Sequence, residues 1–67
     1  MSNKANLNKI IKSVQYEHNI TRTAAIQRLA ERYGLSYVTL HAVAKHSRMP
    51  KRKASADNVN KLIKELK

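Results

Sequence analysis

Residues 29–43 read "LAERYGLSYVTLHAV", with helix-spaced apolar residues on both sides of Gly34, the only glycine in the chain. The first residue past a helix end often takes a left-handed backbone, which glycine adopts without a Cβ penalty. Gly34 is therefore expected to end one helix at Tyr33 with a positive φ. Leu35 then packs back as the hydrophobic contact of the cap, and Ser36 starts the next helix as its N-cap. The unit is helix, tight turn, helix.

The flanking sequence repeats one pattern. Leu7, Ile10, Ile11 and Val14 fall at i, i+3, i+4 and i+7 and define a first helix, with Asn6 as its candidate cap. Ile26, Leu29, Ala30 and Tyr33 share a face of the second helix, which starts at Thr21 or Thr23; either hydroxyl can accept from a backbone N–H. Leu35, Leu40, Val43 and Ala44 form the inner set around the third helix, which stops before Met49-Pro50 because proline disfavours helical geometry in the residue before it. Val59, Leu62, Ile63 and Leu66 repeat the pattern in a fourth helix, with Ser55 as cap, Asp57 in the first turn and Lys64 and Lys67 in the last. No strand-like alternation persists, and glycine and proline occur once each. The expectation is an all-α, single-domain chain over residues 1–67, with helices at about 6–18, 22–33, 36–47 and 55–66 and a basic loop at 45–53.

Composition narrows the function. Fourteen Lys and Arg against four Asp and Glu leave a net charge of +10 on 67 residues. Such a field attracts polyanions and costs self-repulsion in the folded state. The chain has no cysteine, so it has neither a disulfide nor a thiolate metal site. His41 and His46 are five apart, which does not place them on one helical face as an i, i+4 metal pair would be. Glu17, Glu31, Asp57 and Glu65 are far apart in sequence, and one glycine cannot build a phosphate-cradling loop. These features predict no enzyme, no metal, no cofactor and no small-molecule substrate. The N-terminal "MSNKANLNKIIKSV" has no apolar run long enough for a signal peptide or a membrane span, which predicts a cytoplasmic chain without a membrane partner.

Residues 26–45, "IQRLAERYGLSYVTLHAVAK", resemble the twenty-residue helix-turn-helix of the phage Cro/repressor and bacterial repressor families. Ala30 stands at the motif's small fifth position and Gly34 at its ninth. Leu35, Leu40 and Val43 stand at the aliphatic tenth, fifteenth and eighteenth, and Leu29 and Tyr33 at the apolar fourth and eighth. Ile26 departs from the polar residue the family often carries there, which suggests that the second helix begins earlier, near residues 21–23. The resemblance covers under a third of the chain. It implies a DNA-binding regulator, repression of transcription being the family's role, with phage or plasmid origin and a nucleoid-associated location by analogy.

The residues support the same reading independently. The outward face of the third helix carries Tyr37, Val38, His41, Ala42 and Lys45, with Ser36 at its start and no acid. Tyr37 and His41 can donate or accept at base edges, Val38 and Ala42 can meet a thymine methyl, and Lys45 can reach a guanine or a phosphate. The alternative is that these residues pack against the first or fourth helix. Phosphate contacts are expected from Thr21, Arg22, Thr23, Arg32, Arg48, Lys51, Arg52 and Lys53, with Arg28 on a solvated face. Residues 51–53 are read as a flexible basic segment following the backbone or a minor groove, or else as a solvated linker. Val59, Leu62, Ile63 and Leu66 complete the monomer core or form the interface of a homodimer reading paired half-sites. The leading expectation is a sequence-specific regulator that places the third helix in the major groove of double-stranded DNA. The alternatives are an architectural DNA-binding factor and a basic helical adaptor or inhibitor that binds an acidic protein.

Overall fold

The computed structural model describes residues 3–66, and these form four α-helices: α1 (Asn3–His18), α2 (Arg22–Arg32), α3 (Tyr37–His46) and α4 (Lys53–Leu66). The all-α four-helix expectation holds. Helix α1 is the hub, packing against α2, α3 and α4, while α2 also packs against α3. The apolar stripes meet in one core of Leu7, Ile10, Ile11, Ala25, Ile26, Leu29, Ala30, Leu40, Val43, Ala44, Val59, Leu62 and Ile63. Val14, Tyr33, Leu35 and Leu66 lie half-buried at its margin.

The turn after α2 follows the glycine. Gly34 has φ +65°, the Leu35 amide donates to the Ala30 carbonyl at 2.7 Å, and the Gly34 amide donates to the Glu31 carbonyl at 3.4 Å. This pair of bonds is the two-bond form of the left-handed helix cap, with Leu35 turned back onto the core. A Cβ added at Gly34 would come no closer than 3.9 Å to the Asn58 side chain. The requirement at this position is therefore the backbone angle, and space is ample. Two other helices end on left-handed residues without glycine, Asn19 at φ 52° and Ser47 at φ 55°.

Caps decide the helix starts. Thr21 is the N-cap of α2, its hydroxyl accepting from the Ala24 amide at 3.2 Å, so Thr23 falls inside the helix. Ser36 caps α3 by accepting from the Thr39 amide at 3.1 Å. Three expectations fail. Asn6 does not cap α1; it lies within the helix at 7% exposure, because the helix extends back to Asn3. Ser55 does not cap α4 and Asp57 is not in its first turn, because α4 begins two residues earlier, at Lys53. Helix α4 therefore opens with Lys53 and no acid in its first turn, the reverse of the polarity a helix dipole favours. Lys67, expected in its last turn, lies outside the described residues.

The apolar stripe of α4 is spent within the monomer. Val59 and Leu62 are fully buried, Ile63 is 6% exposed, and Leu66 packs against the core. Val59, Leu62 and Ile63 thus complete the monomer core, the first of the two roles expected for this stripe, while Leu66 is half-buried at its edge. Helices α2 and α3 cover only part of α1, and α4 packs on α1 with its apolar stripe inward, which takes that stripe out of water.

Candidate nucleic-acid interface

Helix α3 is two-sided. Leu40, Val43 and Ala44 are buried, while Val38 is 73% exposed and Lys45 is exposed. Between these extremes Tyr37, Thr39, His41 and Ala42 are half-buried. Tyr37 packs partly against the core, and its ring stacks on that of His41 with centroids 5.5 Å apart and planes 13° from parallel. The two residues are one helical turn apart, so the stack runs along the helix surface. Both readings of Tyr37 are partly realised: it belongs to the outward face and also leans on the core. Ser36 does more than cap: its hydroxyl is 2.7 Å from that of Thr39, a polar pair at the front of the face.

The segment after α3 is tied down. The left-handed Ser47 turns the chain, and its amide donates to the Val43 carbonyl at 3.2 Å. Met49 is half-buried against the core, and the Asn3 amide group lies 3.5 Å from its sulfur as a donor. The expected loop is thus shorter than residues 45–53: Lys45 and His46 finish α3, Lys53 starts α4, and the middle is anchored through Met49. Residues 51–53 are not a free arm, because the chain is held on one side by Met49 and on the other by the helix. Arg48, Lys51, Arg52 and Lys53 remain exposed around this anchor. Between the segment and α3 lies a groove of about 300 Å³ lined by Val38, Thr39, Ala42, Arg48, Met49, Pro50 and Lys51. Its floor is apolar and its far wall cationic. Such a groove suits a methyl-bearing base edge beside a phosphate strand.

Helix α2 divides its cations between two sides. Arg22 donates to Oδ1 of Asn8, while the Asn8 amide group donates to the Ala44 and Lys4 carbonyls, each at 2.8 Å. This relay ties the start of α2, through Asn8 of α1, to the C-terminal part of α3. Asn8 is a positioning residue that the sequence reading did not find. Its only signal is an amide at the edge of an otherwise apolar stripe. Arg32 is placed differently. Its guanidinium lies 5.7 Å above the Tyr33 ring, and it lines a groove with Val14, Glu17, His18, Arg28, Leu29 and Leu66. The structure does not bring Arg32 together with the α3 face: the last turn of α2 points its side chain toward the ends of α1 and α4.

Thr21, Arg22, Lys45, Arg48, Lys51, Arg52 and Lys53 are exposed. Among the described residues, no group of three or more His, Cys, Asp or Glu side chains is placed to hold a metal ion, and no helix is long and apolar enough to cross a membrane. No family model, no curated protein and no solved structure matches this chain.

Proposed function

We propose that this chain is a sequence-specific double-stranded-DNA-binding protein that regulates transcription, with α3 in the major groove. The observation that carries the reading is the exposed side of α3. It shows a 73%-exposed valine beside Tyr37, Thr39, His41, Ala42 and Lys45, and no acid. One exposed valine is ordinary by itself; the support is that the whole face lacks acids and sets hydrogen-bonding, methyl-bearing and small groups together, the set that can meet base edges. Around it Arg22, Arg48, Lys51, Arg52 and Lys53 supply the cationic margin on a chain of net charge +10. Phosphate contacts give salt-sensitive affinity for any duplex, and α3 selects the sequence.

The test is selection of binding sites from a random duplex pool by the full chain. Recovery of a short defined motif supports the regulator. Broad AT-biased recovery supports the architectural alternative, and no binding at low salt supports the adaptor for an acidic protein. Recovery of an inverted repeat with centres about one helical turn apart supports a homodimer. Its interface then lies outside Val59, Leu62 and Ile63, which the monomer buries. Lys51→Ala is expected to weaken all sequences alike and flatten the salt dependence, whereas Val38→Ser is expected to weaken the selected motif more than a scrambled one.

A further inference from the structure

The Nδ1 atom of His41 is inaccessible to solvent and has no hydrogen-bond partner. The ring is held in that pose by the stack on Tyr37, itself fixed against the core. The other ring nitrogen, Nε2, is not buried without a partner as Nδ1 is, and no hydrogen bond to it is found among the described residues. A neutral imidazole has one N–H to place. On Nδ1 that proton would be a buried donor with no acceptor, which is rarer in folded proteins than an unmatched lone pair. The proton therefore sits on Nε2, and His41 presents a donor on the exposed side of α3.

A fixed donor restricts what it can meet. In the major groove cytosine N4–H2 refuses it, adenine N7 and thymine O4 each offer one acceptor beside an amino or a methyl group, and only guanine offers two adjacent acceptors, N7 and O6. We infer that His41 reads guanine through Nε2–H, with Tyr37 as the positioning residue that fixes the ring and its tautomer. The inference rests on the DNA-binding reading above and adds to it the base and the polarity of one contact. Sequence alone left His41 able to donate or accept; the buried Nδ1 removes that choice.

Two experiments test it. The first needs no DNA: nitrogen-15 correlation spectra of the histidine side chains in the free chain. The Nε2–H pattern for His41 supports the inference, and an Nδ1–H pattern overturns it. The second uses the motif selected from the random pool, with each guanine replaced in turn by 7-deazaguanine. At one guanine, or its symmetry mate where the motif is an inverted repeat, the replacement is expected to weaken binding about tenfold, the scale of one good base contact. In His41→Ala the same replacement is expected to have no further effect. His41→Gln places an amide nitrogen near the position of Nε2 and is expected to keep a purine preference there, shifted toward adenine. His41→Asn places its amide near Nδ1 and is expected to behave as His41→Ala does. Tyr37→Phe keeps the stack and the preference; Tyr37→Ala loses the preference at that position and keeps it elsewhere in the motif.

If a motif is selected but no guanine responds to 7-deaza replacement, or if the response persists unchanged in His41→Ala, the assignment of His41 fails and the DNA-binding reading stands. If no duplex is enriched, both fail.

Discussion

The Tyr33 hydroxyl donates a 2.8 Å hydrogen bond to Oε1 of Glu65, joining the end of α2 to the last turn of α4. Helix α4 packs chiefly on α1, so this bond is an added tie between the helix-turn-helix unit and the C-terminal helix. Burial raises the Tyr33 pKa above its ordinary value of 10.0; the Glu65 hydrogen bond and charge raise it further, and Arg32 opposes them. The fold therefore favours the neutral phenol. The resulting stability is present in full below pH 10.0 and is lost as pH rises through the higher folded value.

Tyr33→Phe is expected to cost only a few tenths of a kcal/mol at neutral pH, because the Glu65 contact is solvent-exposed. Urea midpoints measured from about pH 8 to about pH 11 should show the gap between the two chains closing on the alkaline side. A gap that widens with pH would mean that the Glu65 contact does not favour the neutral phenol.

Gly34→Ala is expected to destabilise the fold by about 1–2 kcal/mol, and Gly34→Asn by less, because asparagine tolerates the left-handed region. The cause is φ alone, since the nearest atom to an added Cβ is 3.9 Å away. Ser47 has the same backbone angle without glycine, at φ 55°. Ser47→Gly is expected to stabilise by up to about 1 kcal/mol, and thermal melts of the three variants provide the check.

Lys53→Glu separates stability from binding. Helix α4 opens with a cation and no acid in its first turn, so a carboxylate there is expected to stabilise by about 0.5 kcal/mol. The same change removes a cation from the proposed phosphate margin. Affinity for any duplex should fall, and the salt slope should flatten by about one phosphate contact. Denaturant melts and salt titrations on one sample read both effects; a parallel loss of stability and affinity would contradict the helix-dipole argument.

Ile63→Val tests where the α4 stripe is used. At 6% exposure inside the core, the deletion of one methylene is expected to cost about 1 kcal/mol. The difference in melting temperature between the two chains should be unchanged by dilution over about two orders of magnitude, because the buried face needs no second copy. A fall on dilution that is larger in Ile63→Val than in the parent chain would return this residue to an interface between copies, whereas an equal fall in both would mean a dimer formed elsewhere.

Much of the fold was legible in the chain because helical periodicity and two kinds of cap are local. Leu7, Ile26, Leu40 and Val59 sit where their spacing puts them, and Gly34 and Ser36 make the turn that their chemistry predicts. The helix starts at Asn3 and Lys53 were not legible, because packing against the core extended both helices past the polar residues expected as caps. On the candidate site, the exposed side of α3 followed from the same periodicity. The Asn8–Arg22 contact and the diversion of Arg32 to the far groove did not, since each depends on where α1 and α4 cross α2.

The sequence by itself determined the four helices, the angle at Gly34 and the charge, all of which arise within a few residues or from simple counting. Only the tertiary structure decided that α4 closes the monomer core, that Met49 anchors the basic segment, and that Tyr37 holds His41 with one nitrogen buried. Those outcomes depend on which surfaces remain uncovered once α1 has packed against three neighbours, and no periodicity along a single helix records that.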